Sequence, residues 1–235
     1  MRLVLVRPEP EAGRSAARLR RLGHEIVSAP LLVITPVKAN LAAAGMAALV
    51  VTSPRSAALI GPGAPEELRR LPVFAVGDRT AAAMTQAGFA DVRSAAGDII
   101  ALGRLIAAVG LPAGARLLSL GGAERAGDLA ALLAPAGLAV ERRTLYRMVP
   151  VDGLPPGLAD ALQQPGPAAV LHYSPRSAAT FVAKVADAGL QAEAARLDHL
   201  CLSAAVAAPL QRAGYARLRV AAAPDEAALI ALIDG

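Results

Sequence analysis

The sequence predicts an α/β fold of two similar doubly wound parallel-sheet domains joined by a two-stranded antiparallel connector. Three observations predict it: an internal echo, an alternation of strand-like and helix-like segments, and a matched pair of proline-bearing runs. Ser-Pro-Arg-Ser-Ala-Ala occurs twice in the 235 residues, at Ser53–Ala58 and Ser174–Ala179, an offset of 121. Upstream, Leu22-Gly23-His24-Glu25-Ile26-Val27 parallels Ala136-Gly137-Leu138-Ala139-Val140 at an offset of 114. Downstream, Gln86-Ala87-Gly88-Phe89 parallels Arg212-Ala213-Gly214-Tyr215 at an offset of 126. Three matches in the same order, with drifting offsets, describe two copies separated by small loop insertions.

Each copy alternates. Short aliphatic or β-branched runs predict strands at Leu3–Val6, Leu49–Val51, Val73–Val76, Arg116–Leu120, Ala168–Leu171 and Leu200–Leu202. Longer Ala/Leu patterns predict helices over Glu9–Leu22, Pro54–Ile60, Thr80–Ala87, Ile99–Val109, Gly127–Pro135, Pro175–Ala188, Ala204–Ala213 and Glu226–Ile233. Strands this short and this apolar, interleaved with helices, belong to a mainly parallel sheet covered on both faces. Two runs stand outside the alternation, Pro30–Val37 and Thr144–Val151. Each is extended, β-prone and marked by Pro, which sheet edges tolerate. They are expected to pair as connector strands (30–37 with 144–151). The first domain is then discontinuous, residues 1–34 and 151–235, and the second covers 37–148.

Composition removes several classes. A hydrophobic fraction of 55% rules out a disordered or fibrous chain. One cysteine, Cys201, rules out an internal disulfide framework and a cysteine-based zinc cage; between two leucines it reads as a buried core thiol. The longest uncharged stretch, Ala39–Pro54, is broken by polar residues and is too short to span a bilayer. The opening Arg2-Leu3-Val4-Leu5-Val6-Arg7 has no long apolar segment before a cleavage site. A soluble, cytoplasmic protein is expected, with no membrane partner. The net charge is +5, and all but Lys38 and Lys184 of the 24 cations are Arg. The arginine pairs are scattered and aromatics make up 3% of the chain, so no basic, aromatic-laced face for nucleic acid is formed.

Doubly wound sheets bind ligands beyond the carboxyl ends of their strands, where helices begin. The turns at Ser53-Pro54-Arg55 and Ser174-Pro175-Arg176 each put Ser at an N-cap, Pro at the first helical position and Arg after it. Free backbone N–H groups and the positive end of the helix dipole suit such a start to an anion. Gly77 and Thr80 form a third such turn, and Ser203 stands in the equivalent place of the other copy. Arg7 and Gly121-Gly122 mark the matching first turns, where the glycines permit close backbone approach. Neither G-x-G-x-x-G nor Gly-Lys-Ser/Thr is present, which argues against NAD and ATP. The three histidines show no ligand spacing, and no G-x-S-x-G elbow occurs, so metal and serine-hydrolase chemistry are disfavoured.

These residues also carry a resemblance. Leu-Val-Leu-Val-Arg-Pro-Glu-Pro (Leu3–Pro10), Val-Val-Thr-Ser-Pro-Arg-Ser (Val50–Ser56), Phe-Ala-Val-Gly-Asp-Arg-Thr-Ala (Phe74–Ala81) and Leu-Tyr-Arg-Met-Val-Pro (Leu145–Pro150) resemble the uroporphyrinogen-III synthase family in order and over nearly the whole chain. The resemblance implies two α/β domains joined by a two-stranded connector, with the site in the cleft between them. It implies cyclisation of hydroxymethylbilane, a linear tetrapyrrole, with inversion of ring D and loss of water, by a monomer receiving its substrate from the upstream deaminase. No metal or organic cofactor is implied. Tyr146 matches the family's connector tyrosine, the candidate acid, and Thr80 a cleft hydroxyl. Ser53, Arg55 and Ser174 match turns that contact carboxylates, and the other turns (Arg7, Gly77, Gly121, Gly122, Arg176, Ser203) fit the same polycarboxylate. One departure is Ser203-Ala204-Ala205-Val206, where the family often has Gly-Pro-Thr-Thr. Two lobes around a hinge also describe a small-molecule sensor or solute-binding module, and helix starts of this kind also suit an enzyme acting on a phosphorylated metabolite.

Overall fold

Strands buried on both faces need apolar residues along their length, and Leu3–Leu5 and Ala48–Val51 are fully buried. The computed structural model describes residues 1–61, 63–124, 127–166 and 168–233. The chain divides into two units, Met1–Ile34 with Val149–Gly235, and Thr35–Met148.

Unit 1 opens with β1 (Arg2–Leu5), α1 (Glu11–Arg21) and β2 (Glu25–Ser28). The chain then passes through β3 (Leu32–Pro36) into unit 2, with β4 (Ala48–Val51), α2 (Pro54–Ile60), α3 (Glu66–Arg69), β5 (Val73–Ala75), α4 (Asp78–Gln86) and β6 (Val92–Ser94). Next come α5 (Ile99–Ala108), β7 (Arg116–Gly122), α6 (Leu129–Leu133) and β8 (Ala139–Pro150). It returns to unit 1 as α7 (Pro156–Gln163), β9 (Ala168–His172), α8 (Pro175–Asp187), α9 (Gln191–Ala195), β10 (Asp198–Cys201), α10 (Ala204–Arg212), β11 (Leu218–Val220) and α11 (Glu226–Ala231).

The sheet of unit 1 has the order β11-β10-β9-β1-β2, parallel throughout. That of unit 2 runs β3-β8-β7-β4-β5-β6, parallel from β8 to β6. Excluding β3, the two orders are the same under a circular permutation: β9 stands where β4 does, β10 where β5, β1 where β7 and β2 where β8. The echoing turns fall on equivalent strand ends. The echoing glycines stop equivalent helices: Gly88 and Gly214 follow α4 and α10 with φ of 91° and 83°, a left-handed conformation that glycine adopts without strain.

Alternation along the strands builds two cores per sheet. In unit 1, Val4, Val170 and Cys201 pack with Phe181 and Leu210 on one face, while Leu3, Leu5 and Leu171 pack with Leu19 and Leu229 on the other. In unit 2, Val50, Phe74 and Leu117 meet Leu102 and Ile106, and Leu49, Val51, Leu118 and Leu120 are fully buried on the opposite face. Truncating any of these leucines to alanine costs about 2–5 kcal/mol.

Residues 144–150 of the expected connector run are the second half of the twelve-residue β8, which pairs with β7 as far as Tyr146. From Val140 onwards no Gly or Pro interrupts the chain until Pro150, so nothing stops the strand earlier. Beside it, the Val37 N–H donates to the Leu145 carbonyl at 2.7 Å and the Val151 N–H to the Leu31 carbonyl at 3.1 Å. Among the described residues, no helix is long and apolar enough to cross a membrane.

Candidate functional site

In unit 2, parallel register sets Val51 against both Ala75 and Leu120. The turns after β4, β5 and β7 therefore open side by side on one edge, and this brings Ser53, Gly77 and Gly121-Gly122 to the carboxyl end of the sheet. Ser53 caps α2: its Oγ accepts the Arg55 N–H at 3.3 Å, with Pro54 in the first turn. Arg55 follows as the second helical residue. Ser56 is fully buried and donates to the Leu120 carbonyl at 3.2 Å, tying the helix start to β7. Gly77 caps α4 with extended backbone, its carbonyl accepting from the N–H groups of Thr80 and Ala81. Thr80 is only 3% exposed.

The edge between β4 and β7 is where the strand order of unit 2 reverses, the place such sheets offer to ligands. A cavity of about 140 Å³ lies there, lined in part by Thr52, Ser119, Gly121, Asp128 and Arg142. Thr52 Oγ1 comes within 3.5 Å of where a side chain on Gly121 would begin.

Tyr146 lies at the same strand end. Gly121 is paired with Thr144 but Gly122 with Tyr146, so Leu145 is an extra residue and the ladder carries a bulge. Tyr146 is 6% exposed. Its ring covers Gly122 so closely that a Cβ there would meet Cε2 at 2.7 Å, Cζ at 2.8 Å and the hydroxyl at 3.0 Å. With the ring where it lies, only glycine fits beneath it.

Unit 1 arranges its own edge differently. Ser174 caps α8, its Oγ accepting the Ser177 N–H at 3.1 Å, with Pro175 and Arg176 following. Ser203 caps α10 through its carbonyl, with no hydrogen bond from its side chain to the helix. Arg7 is engaged within the unit. Its Nη1 donates to Ser15 Oγ at 2.9 Å and to Glu226 Oε1 at 3.1 Å, and its guanidinium stacks 3.9 Å from the centre of the Tyr173 ring. Ser15 and Tyr173 also donate to that carboxylate oxygen, Tyr173 at 3.1 Å. Burial is the main reason the Tyr173 phenol is pushed up to about 12. The strand order of unit 1 reverses here, and the chain's own carboxylate stands beyond the strand ends.

Thr52, Ser119 and Arg142, and the set Ser15, Tyr173 and Glu226, are not legible as site residues in the sequence. Their association depends on the register of β4, β7 and β8 and on contacts 211 and 219 residues apart, for which no local pattern exists. His172 and His199 lie inside the core of unit 1, fully buried, with Nε2 and Nδ1 3.1 Å apart. Among the described residues, no three His, Cys, Asp or Glu side chains are grouped to hold a metal ion.

A model of the family described as Uroporphyrinogen-III synthase HemD matches residues 13–231. The solved uroporphyrinogen-III synthetase from Helicobacter pylori 26695 aligns over 99% of this chain and 98% of its own, with 17% identity and a TM-score of 0.67. A mutant uroporphyrinogen III synthase from the extremely thermophilic bacterium Thermus thermophilus aligns over 100% and 96%, with 18% identity and a TM-score of 0.52. At such identities these two structures speak for the fold. No curated protein matches.

Proposed function

We infer the working of the site from one premise: the chain belongs to the uroporphyrinogen-III synthase family. It is a lyase of porphyrin and heme biosynthesis, which cyclises hydroxymethylbilane with inversion of ring D and loss of water. The observation that carries this is the family match over residues 13–231.

The substrate bears acetate and propionate carboxylates on every ring, and the linear chain closes by itself without inversion. The catalyst's task is therefore to hold the bilane so that the substituted carbon of ring D attacks, through a spiro intermediate, while the hydroxyl leaves as water. Tyr146 is the proton donor to that hydroxyl, and Thr80 is the second catalytic hydroxyl. Helix starts at Ser53-Arg55, Gly77, Ser174-Arg176 and Ser203 receive carboxylates through backbone N–H groups, aided by the arginines. Gly121 and Gly122 let the backbone approach a carboxylate closely, and Arg7 meets another on leaving Glu226. What supports these assignments is that each set of turns lies along the carboxyl edge of its sheet.

The domains are read as residues 1–34 with 151–235, and 37–148. Residues 30–37 and 144–151 serve as the antiparallel connector, a reading supported by the descending partners of Leu31 and Val37. The enzyme acts in the cytoplasm as a monomer, accepting its substrate from the deaminase that makes it.

Hydroxymethylbilane generated in situ, followed by chromatography of the product, tests the activity. The type III isomer is expected. Type I alone, the spontaneous product, would overturn it.

A further inference from the structure

We propose that Arg142 is a positioning residue for Tyr146, acting through the backbone that follows β7; the proposal deepens, and rests on, the reading of Tyr146 as proton donor. Three observations converge on the peptide of Gly122. The first is the bulge. Because Gly121 faces Thr144 and Gly122 faces Tyr146, the extra residue Leu145 turns the tyrosine to the opposite face of the sheet from Thr144. In an unbroken ladder Leu145 would stand where Tyr146 stands.

The second is the seat of the ring. The phenol lies on the bare backbone of Gly122, with its hydroxyl 3.0 Å from where a Cβ would be. The Ala123 N–H donates to the Tyr146 carbonyl at 2.9 Å. The height and tilt of the ring are therefore set by the path of the chain through Gly122 and Ala123.

The third is what holds that path. β7 ends at Gly122, so the parallel ladder stops there. Arg142, on the part of β8 paired with Ser119, reaches forward along the sheet edge. Its Nη2 donates to the Gly122 carbonyl and lies 3.2 and 3.3 Å from the carbonyls of Ala123 and Glu124. All three carbonyls meet the one Nη2, and the rigid plane of the guanidinium fixes where that nitrogen stands, which a lysine ammonium on its flexible stem does not do equally. Gly122 is thus held by the arginine from the side of Thr144 and by the ring from the other. A proton donor displaced by about 1 Å loses on the order of a hundredfold in rate.

Fluorine NMR on protein labelled with 3-fluorotyrosine reads the position directly, since the chain has three tyrosines and Tyr173 and Tyr215 lie in unit 1. Tyr146→Phe assigns the resonance. In Arg142→Ala and Arg142→Lys we expect the Tyr146 resonance alone to shift or broaden. We also expect kcat to fall about tenfold to a hundredfold with KM within about twofold. Arg142→Ala in the Tyr146→Phe background should slow the enzyme no further. An unmoved Tyr146 resonance overturns the proposal, as does an equal loss from Arg142→Ala in both backgrounds. Should Arg142→Ala not fold, the milder Arg142→Gln decides by the same criteria. Tyr146→Phe with undiminished kcat would instead overturn the proton-donor reading, and the resonance positions would still decide what Arg142 does.

Discussion

Two neutral imidazoles sealed in the core give unit 1 an acid limit that can be worked out from its hydrogen bonds. His199 Nε2 lies 3.0 Å from the Ala194 carbonyl, which can only accept. The Nε2–H therefore points there, Nδ1 carries a lone pair, and the Nε2–H of His172 donates to it across 3.1 Å. His172 Nδ1 has no partner among the described residues, and Phe181 and Tyr215 close the site. Burial pushes His199 down from 6.5 to about 4, against the opposing pull of the Ala194 carbonyl and Asp198. Burial, with the nearby His199, holds His172 well below 6.5.

The unfolded chain therefore takes up protons near pH 6.5 that the folded chain refuses until lower pH. The contribution is complete above the unfolded value and is lost as pH falls through the window between 6.5 and about 4. Each such histidine adds a slope of up to about 1.4 kcal/mol per pH unit. From about pH 7 to about pH 5, His199 alone removes about 2 kcal/mol, against a total stability on the order of 5–15 kcal/mol; His172 acts in the same direction. The assay is urea denaturation followed by circular dichroism in stepped buffers, comparing the native chain with His172→Leu/His199→Leu. The absolute stability of the variant is not the readout, since the Ala194 carbonyl loses its donor. The difference in slope is. Equal slopes over this interval would refute the burial of two neutral rings.

Other outcomes follow from the same structure. Tyr146→Phe should lower kcat about a hundredfold, within the range for a positioned general acid, and leave KM within about twofold; equal turnover would remove its acid role. Arg55→Ala should raise KM for the bilane about tenfold, as expected for one lost charge-assisted contact, and an unchanged KM would leave it outside the binding surface. Ser174→Ala removes the Ser177 N–H acceptor and should cost about 1 kcal/mol in denaturation; no loss would show the cap to be energetically idle. Glu226→Ala leaves Arg7, Ser15 and Tyr173 without their common acceptor and should lower Tm by several degrees, on the order of 5 °C. Calorimetry giving the native Tm would make that cluster a surface ornament.

The parts of this architecture visible in the sequence are those fixed within a few residues. Ser53 and Ser174 cap by bonding N–H groups two and three positions away, and glycines such as Gly88 and Gly214 terminate helices locally, so both leave echoes. The edge strands β2, β6 and β11 are not visible there. Each has three or four residues and no fully buried position, so none presents a continuous apolar run. The helices α3, α7 and α9 escape notice because each spans only four to eight residues and none opens on a side-chain N-cap, unlike the comparably short α2, α6 and α11. Tyr146 can be singled out by resemblance, but its seat cannot. Nothing in Arg-Arg-Thr-Leu-Tyr announces that Leu145 is the extra residue of a bulge.

The two edges also show why a repeat in sequence does not imply a repeat in chemistry. β1 and β7 are equivalent by offset and by place in their sheets, and both are followed by a turn at the reversal of strand order. β7 ends in two glycines, whose bare backbone admits a tyrosine ring on one side and leaves a cavity on the other. After β1 comes Arg7, a charge that would stand unpaired in a crevice one-fifth exposed were it not met by Glu226. A half-buried guanidinium needs an acceptor whether or not substrate is present, and α11 supplies one from the far end of the chain. A carboxylate of the bilane that binds at Arg7 meets a guanidinium whose Nη1 already donates to Glu226, whereas Gly121 offers bare backbone beside a cavity. Duplication thus preserved the strand ends as places where helices begin, while single residues at those ends decided which edge stays open and which is closed by the protein itself.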